Sequence, residues 1–437
     1  MEKFLQLRNK HEEFVYHSFE ICETSFKFHF SMDDYHFYPE WSFPKGTIGK
    51  HVNQELLEYA VFSLGMAELV SYWKCACPPV VRVKCGSLDN QRIKWWKKLY
   101  FNGLGEFFYR NKIETDIDSF MTVIADNDNV PVFNGQYQGE GFLIPVGGGK
   151  DSVVTLELLR DYHEKNLCYI INPRGATIGC ANIAGYADNQ VIGVGRTIDK
   201  QLLELNKMGY LNGHTPLSAV IAFSGWIFAY CKGKRYVALS NESSANESNI
   251  EGTQINHQYS KSTEFEGDFR RYSSNCFGAY PEYFSMLRPW SEWQIAKKFV
   301  QYPQYFPVFQ SCNVGSKTNV WCANCAKCLY VYIMLAAFLD DEQLIKIFGK
   351  NMLDDEKYVD LFNGLVYQNY DKPFECVGTK AEINLALFVA QKRRKNGQMP
   401  LLLAGYRPEN GNEPQNLDSF FDENNYVPEY LLPLLRG

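Results

Sequence analysis

Two groups of residues in this chain have the types and spacing to do chemistry. The first is Gly147-Gly148-Gly149-Lys150-Asp151-Ser152, which runs straight out of the apolar stretch Phe142–Val146 and into a helical pattern. Consecutive glycines let a backbone turn sharply and approach an anion closely. A helix start then offers free N–H groups and the positive end of the helix dipole, which together bind phosphate. A Walker A loop requires Ser or Thr after its lysine, where this chain has Asp151. The dinucleotide fingerprint requires a third glycine where Ser152 stands. Neither pattern fits. The second group is Cys312, Cys322, Cys325 and Cys328, a Cys-x9-Cys-x2-Cys-x2-Cys cluster. Two-residue spacers let neighbouring thiolates converge on one ion, and a fourth closes the shell, as in structural zinc sites. An iron–sulfur cluster uses the same ligand type. Cys75, Cys77 and Cys85 lack paired spacing and are not expected to be ligands.

Three further segments concentrate polar residues: Asn212-Gly213-His214-Thr215-Pro216, Asn241–Asn246, and Asn256–Ser262. The first opens a long apolar helix and the second follows a predicted strand. In an open α/β sheet, ligands sit beyond the carboxyl ends of the strands, so these loops are expected to share the crevice of the glycine loop. His214 and His257 are then candidates for proton transfer, because histidine titrates nearest neutrality. Lys261 and Glu242 are rivals for the same role.

The elements that must position these groups are legible in outline. Short apolar runs at Phe142–Val146, Leu167–Ile171, Val191–Val194 and Tyr236–Ser240 alternate with helical patterns, the longest at Pro216–Tyr230. This β-α-β alternation predicts a parallel sheet with helices on both faces. The strands are continuously apolar, as strands buried on both faces are. The expected fold class is therefore α/β, a parallel sheet flanked by helices. The 437 residues divide into an α+β region at 1–125 of unassigned role, an α/β domain at 126–310, and a cysteine knuckle with a helical region at 311–437. The formal charge of −6 argues against a general nucleic-acid binder, since such proteins carry a basic surplus. No run of 18 apolar residues is present, so no membrane span is expected. The start of the chain lacks the pattern of a signal peptide and the 13 cysteines are an odd number, which together lead us to expect a cytoplasmic protein.

The glycine loop resembles that of the PP-loop ATP pyrophosphatases, roughly Ser-Gly-Gly-x-Asp-Ser, with Gly147 standing where the serine usually sits. That superfamily's adenine nucleotide α-hydrolase-like fold is the sheet the resemblance implies. The set GGGKDS, NGHTP, NESSAN, NHQYSKS and the late cysteines together is similar to the UDP-N-acetylmuramoyl-L-alanyl-L-glutamate epimerases, the MurL family, by motif over about 140 to 340. The resemblance implies ATP-dependent inversion of the terminal glutamate of UDP-MurNAc-L-Ala-L-Glu, a peptidoglycan precursor, with release of AMP and pyrophosphate. On it, Gly147, Gly148, Gly149 and Ser152 hold the ATP phosphates, Lys150 neutralises charge on pyrophosphate, and Asp151 helps hold Mg²⁺. Arg174, Arg196, Arg270 and Arg271 are candidates for the UDP-sugar. The 7-cyano-7-deazaguanine synthases combine a similar loop with a similar cysteine knuckle, so a PP-loop ligase is an alternative. A zinc-stabilised nucleotide-binding module without catalysis is a third.

Overall fold

In the computed structural model, described for residues 2–133, 137–250, 252–394, 397–408 and 411–436, one sheet organises the chain. Its strands are β1 (Glu13–Ile21), β2 (Ser25–Met32), β3 (Tyr35–Phe37), β4 (Glu40–Ser42), β5 (Val80–Val83), β6 (Thr122–Ala125), β7 (Phe142–Pro145), β8 (Leu167–Ile171), β9 (Val191–Arg196), β10 (Tyr236–Leu239) and β11 (Glu282–Ser285). They lie in the order β11-β10-β7-β8-β9-β4-β2-β1-β5-β6, with β3 paired to β2.

The strands β7 to β11 are mutually parallel. Counted from β7 as the first, they lie in the doubly wound order 3-2-1-4-5, with the reversal between β7 and β10. Side chains on a strand alternate between faces, and here each face has its own core. Leu143, Tyr169, Val194, Val237 and Tyr283 pack into one, with helices Gln54–Trp73 and Leu217–Cys231. Phe142, Ile144, Ile170, Ala238 and Phe284 pack into the other, with helices Lys150–Leu158, Glu292–Phe299, Ala326–Ala336 and Lys380–Arg393. Burial on both faces is why these strands carry no polar alternation.

The N-terminal segment completes this sheet. Trp41 and Ser42 of β4 pair antiparallel with Arg196 and Gly195 of β9, and β1, β2, β5 and β6 extend the sheet beyond them. The joint is held by Glu68, 1% exposed, which accepts hydrogen bonds from Trp41 Nε1 at 2.8 Å and from Arg196 Nε and Nη2 at 2.5 and 2.7 Å. No helix among the described residues is long and apolar enough to cross a membrane.

Candidate active site

The glycine loop lies at the reversal of the sheet, between the carboxyl ends of β7 and β10, where doubly wound folds open their binding crevice. Gly148 has φ +80°, and a Cβ there would stand 3.0 Å from the carbonyl carbon of Ala176. At Gly149 a Cβ would meet Ser311 Cβ at 3.1 Å, whereas at Gly147 it would meet open space. The loop is thus packed on one side and open on the other. The helix it starts, Lys150–Leu158, has Gly149 as N-cap with no side-chain cap, which leaves its first N–H groups available. Ser152 is turned inward, its Oγ donating to Gly149 O at 2.9 Å.

Lys150 is 2% exposed and forms ion pairs with Asp151 Oδ1 and Glu292 Oε2. Burial pushes the Glu292 carboxyl up, and Lys150 opposes that shift. Carboxylate oxygens of Asp151, Glu242 and Glu292 lie within 4.8 Å of one another, one each from the turns after β7, β10 and β11. An all-oxygen set of this kind suits a hard cation such as Mg²⁺, which takes one or two carboxylates and completes its shell with substrate phosphates and water. Beside it, the hydroxyls of Ser240 and Ser244 are buried without a partner in the turn after β10. Buried polar groups are normally paired, and a ligand in the crevice would supply partners here.

A second set of groups stands next to the first. His257 Nδ1 is 2.5 Å from Glu106 Oε2, and His214 Nδ1 is 3.8 Å from the same oxygen. The two imidazole centroids are 4.1 Å apart. Burial lowers His257, but hydrogen bonds to Cys376 and Glu106 more than reverse that and bring its pKa to about 9. Burial and the neighbouring His257 hold His214 down at about 3. One ring is therefore cationic and the other neutral around pH 7. They line an open pocket of about 500 Å³ with Glu106, Arg110, Asn212 and Gly213. Lys74, from the end of helix Gln54–Trp73, donates to Gly213 O and steadies this loop.

Lys261 links the two sets. Its Nζ is 3.3 Å from Cys376 Sγ, and the carboxylates of Glu242 and Asp151 are close enough to help hold its pKa up. Arg288, fully buried, fixes both loops by donating to the carbonyls of Glu242 and Lys261 and pairing with Glu266 Oε2 at 3.1 Å. All four proton-transfer candidates, His214, Glu242, His257 and Lys261, thus lie along the carboxyl side of the sheet. Sequence reasoning passed over Glu106, Cys376 and Glu292. Glu106 and Cys376 come from segments with no motif, and Glu292 follows the strand Glu282–Ser285, whose polar ends leave no apolar run.

The arginine candidates separate. Arg174 follows β8 on the crevice side and bonds Ser316 Oγ. Arg196 is committed to Glu68. Arg270 and Arg271 line a cavity with Tyr280 and Glu282 at the amino end of β11, the opposite end of that strand from the crevice.

The four cysteines of the cluster converge. Cys322 and Cys325 Sγ each lie 3.5 Å from Cys328 Sγ, and all four sulfurs lie within 4.8 Å of one another. A tetrahedron with Zn–S bonds of ~2.3 Å has edges of about 3.8 Å, so the set fits one ion. Cys325 caps helix Ala326–Ala336, and that helix carries Lys327, which donates to Cys376 O. The knuckle therefore braces the site without lining it.

Residues 6–286 match the family model of the MurL N-terminal domain, and residues 308–417 match that of the MurL C-terminal domain. The chain is 34% identical over 350 residues to a UDP-N-acetyl-alpha-D-muramoyl-L-alanyl-L-glutamate epimerase of Xanthomonas oryzae pv. oryzae, covering 78% of this chain and 76% of that one. It is 34% identical to a protein of the same name from Salinispora tropica, over 73% of this chain and 70% of the relative. A third, from a Micromonospora species, is 33% identical over 77% of this chain and 75% of its own length. No solved structure matches.

Proposed function

The chain belongs to the MurL family, and from that premise we propose that it epimerises the terminal L-glutamate of UDP-MurNAc-L-Ala-L-Glu through an acyl-adenylate formed from ATP. The chemistry explains why a nucleotide site and an acid–base set belong together. The α-hydrogen beside a free carboxylate is barely acidic, because its removal would put a second negative charge next to the first. Converting the carboxylate to a mixed anhydride with AMP removes that charge and lets the carbonyl accept the electrons as an enolate. A base can then take the proton, and a proton can return on the other face. Hydrolysis of the anhydride releases AMP.

The observation that carries this reading is the adjacency of two sets of groups at one crevice. The glycine loop and the helix start suit the phosphates, and Asp151, Glu242 and Glu292, two of them paired with buried Lys150, would hold Mg²⁺, which would shield the charge on pyrophosphate. The His257, Glu106 and Lys261 set suits proton transfer. The cysteine cluster would hold structural zinc, with no part in the reaction. The deazaguanine synthase reading uses only the loop and the knuckle and gives no role to Glu106 or to the family match across the N-terminal part. The test is proton NMR in deuterated water with ATP and UDP-MurNAc-L-Ala-L-Glu. Deuterium is expected at the glutamate α-position, with AMP released; α-protons that stay fixed while the protein turns over no ATP would refute the proposal.

A further inference from the structure

Inversion requires groups on both faces of one carbon. The two histidines cannot stand on opposite faces, because their rings are 4.1 Å apart centre to centre and turn toward the same Glu106 oxygen. A carbon between two proton-transfer atoms needs about 3 Å on each side. Together they serve one side of a substrate.

The C-terminal segment brings a different group to the same place. Residues 371–378 lie between helices Val359–Val366 and Lys380–Arg393 and are strapped across the site. Lys372 pairs with Glu247 at 2.5 Å, Asn249 Nδ2 donates to Pro373 O at 3.0 Å, and Phe374 lies under the Arg110 guanidinium at 5.1 Å. These contacts set Cys376 among Lys261, His257 and Lys327. The residue is half-buried, its Sγ 3.3 Å from Lys261 Nζ, and Lys327 donates to its carbonyl. Burial alone would push this thiol up, and Lys261, His257 and Lys327 hold it down at about 5. Burial pushes Cys75, Cys85, Cys180 and Cys231 up to about 12. No zinc role accounts for Cys376, which stands outside the four-cysteine cluster.

We propose that Cys376 is the catalytic base that removes the glutamyl α-proton on one face of the carbon. The inference rests on the acyl-adenylate reading. Lys261 reaches from Cys376 toward Glu242 and Asp151, so the sulfur stands one side chain away from the phosphate end of the crevice. The α-carbon of an acyl-adenylate is bonded directly to the activated carbonyl, so its base must be that close. In the step, the C–H bond breaks, an S–H bond forms, and the electron pair moves into the carbonyl as an enolate. A water molecule on the other face returns a proton to the carbon, and the thiol passes its proton through solvent to the hydroxide left behind. The net proton count is zero.

The test separates this step from adenylation. Wild-type protein with substrate and ATP is assayed for ATP–pyrophosphate exchange and for α-deuterium uptake. Cys376→Ala and Cys376→Ser are expected to keep pyrophosphate exchange and to lose α-deuterium uptake by about 10²–10⁴-fold. Uptake at the wild-type rate in either variant overturns the proposal. A wild-type protein without substrate-dependent pyrophosphate exchange overturns the adenylate reading and this inference with it. Iodoacetamide at pH 6.5 with peptide mapping decides the case in which a variant misfolds. Cys376 is expected to be carboxamidomethylated ahead of the cysteines outside the cluster and to be protected by substrate plus ATP, and a Cys376 no faster than they are overturns the assignment.

Discussion

His257 and Glu106 lie 151 residues apart in the chain and meet through a 2.5 Å hydrogen bond between Nδ1 and Oε2. Glu106 comes from the short helix Gly105–Arg110 of the N-terminal segment, and His257 from the loop after β10. The extension of the sheet beyond β9 thereby delivers a carboxylate to the site. Glu106 is 6% exposed in its side chain and is also held by Arg110 Nε at 2.6 Å, so its position is set by packing as well as by charge.

Glu106→Gln should move the alkaline limb of the reaction. His257 carries its proton up to about 9, above its ordinary 6.5, with burial opposing the shift and Cys376 and Glu106 causing it. Removing the carboxylate should bring the limb of α-deuterium uptake down by a unit or more toward 6.5. The same raised pKa contributes stability that is fully present below pH 6.5 and lost as pH rises through about 9. Urea unfolding across that range should therefore be flatter in the variant. A pH–rate profile that does not move would detach Glu106 from the proton transfers.

Gly148→Ala should disable the nucleotide loop. A non-glycine residue at positive φ costs about 1–2 kcal/mol, and here the added Cβ also meets the backbone of Ala176 and Thr177 at 3.0 Å. The strain is relieved only by moving the turn that faces the phosphates. We expect substrate-dependent AMP release to fall at least tenfold while thermal unfolding shifts by only a few degrees. Gly147→Ala, whose Cβ meets nothing within 4 Å, should be the milder substitution.

Cys325→Ser should remove the metal and loosen the active site at a distance. Metal analysis is expected to find one zinc per chain in the wild type and to lose it in the variant; iron with labile sulfide in place of zinc would reassign the cluster. Because Cys325 caps the helix that carries Lys327, and Lys327 holds the Cys376 carbonyl, activity should fall together with melting temperature.

How much of this was legible before folding depends on how far apart the cooperating residues lie in the chain. The glycine loop, the three polar loops and the four cysteines each sit within a short window, and the buried parallel strands announce themselves as apolar runs. The parallel strands at 167–171 and 236–239 fall where the apolar runs predict them. The strand Glu282–Ser285 is as long as those at 142–145 and 236–239 but has Glu and Ser at its ends, so no apolar run marks it, and Glu292 is hidden with it. Glu106 lies among aromatic residues in Gly-Glu-Phe-Phe-Tyr-Arg, where nothing local marks it as functional. The pairing of β4 with β9 and the packing of Trp95 and Trp96 on Phe223 and Tyr272 bring that segment to the crevice, and neither leaves a local sequence pattern. Cys376 was obscured for a related reason, since its partners Lys261, Lys327 and His257 lie on other segments.

Arg288 offers a way to separate the architecture of the crevice from its chemistry. It is fully buried and tied to Glu266, which is 1% exposed and accepts a 2.8 Å hydrogen bond from Ser285 N. Arg288→Met should leave the Glu266 charge without its partner and cost about 3–5 kcal/mol, because breaking a buried pair strands one ion. Adding Glu266→Gln removes that charge while keeping an acceptor for Ser285, so the double variant should recover much of the stability in urea unfolding. Activity should not recover with it. The carbonyls of Glu242 and Lys261 still lack their donor, and both loops that face the phosphates and the acid–base set are freed. A double variant with wild-type turnover would show that these loops hold their geometry without Arg288.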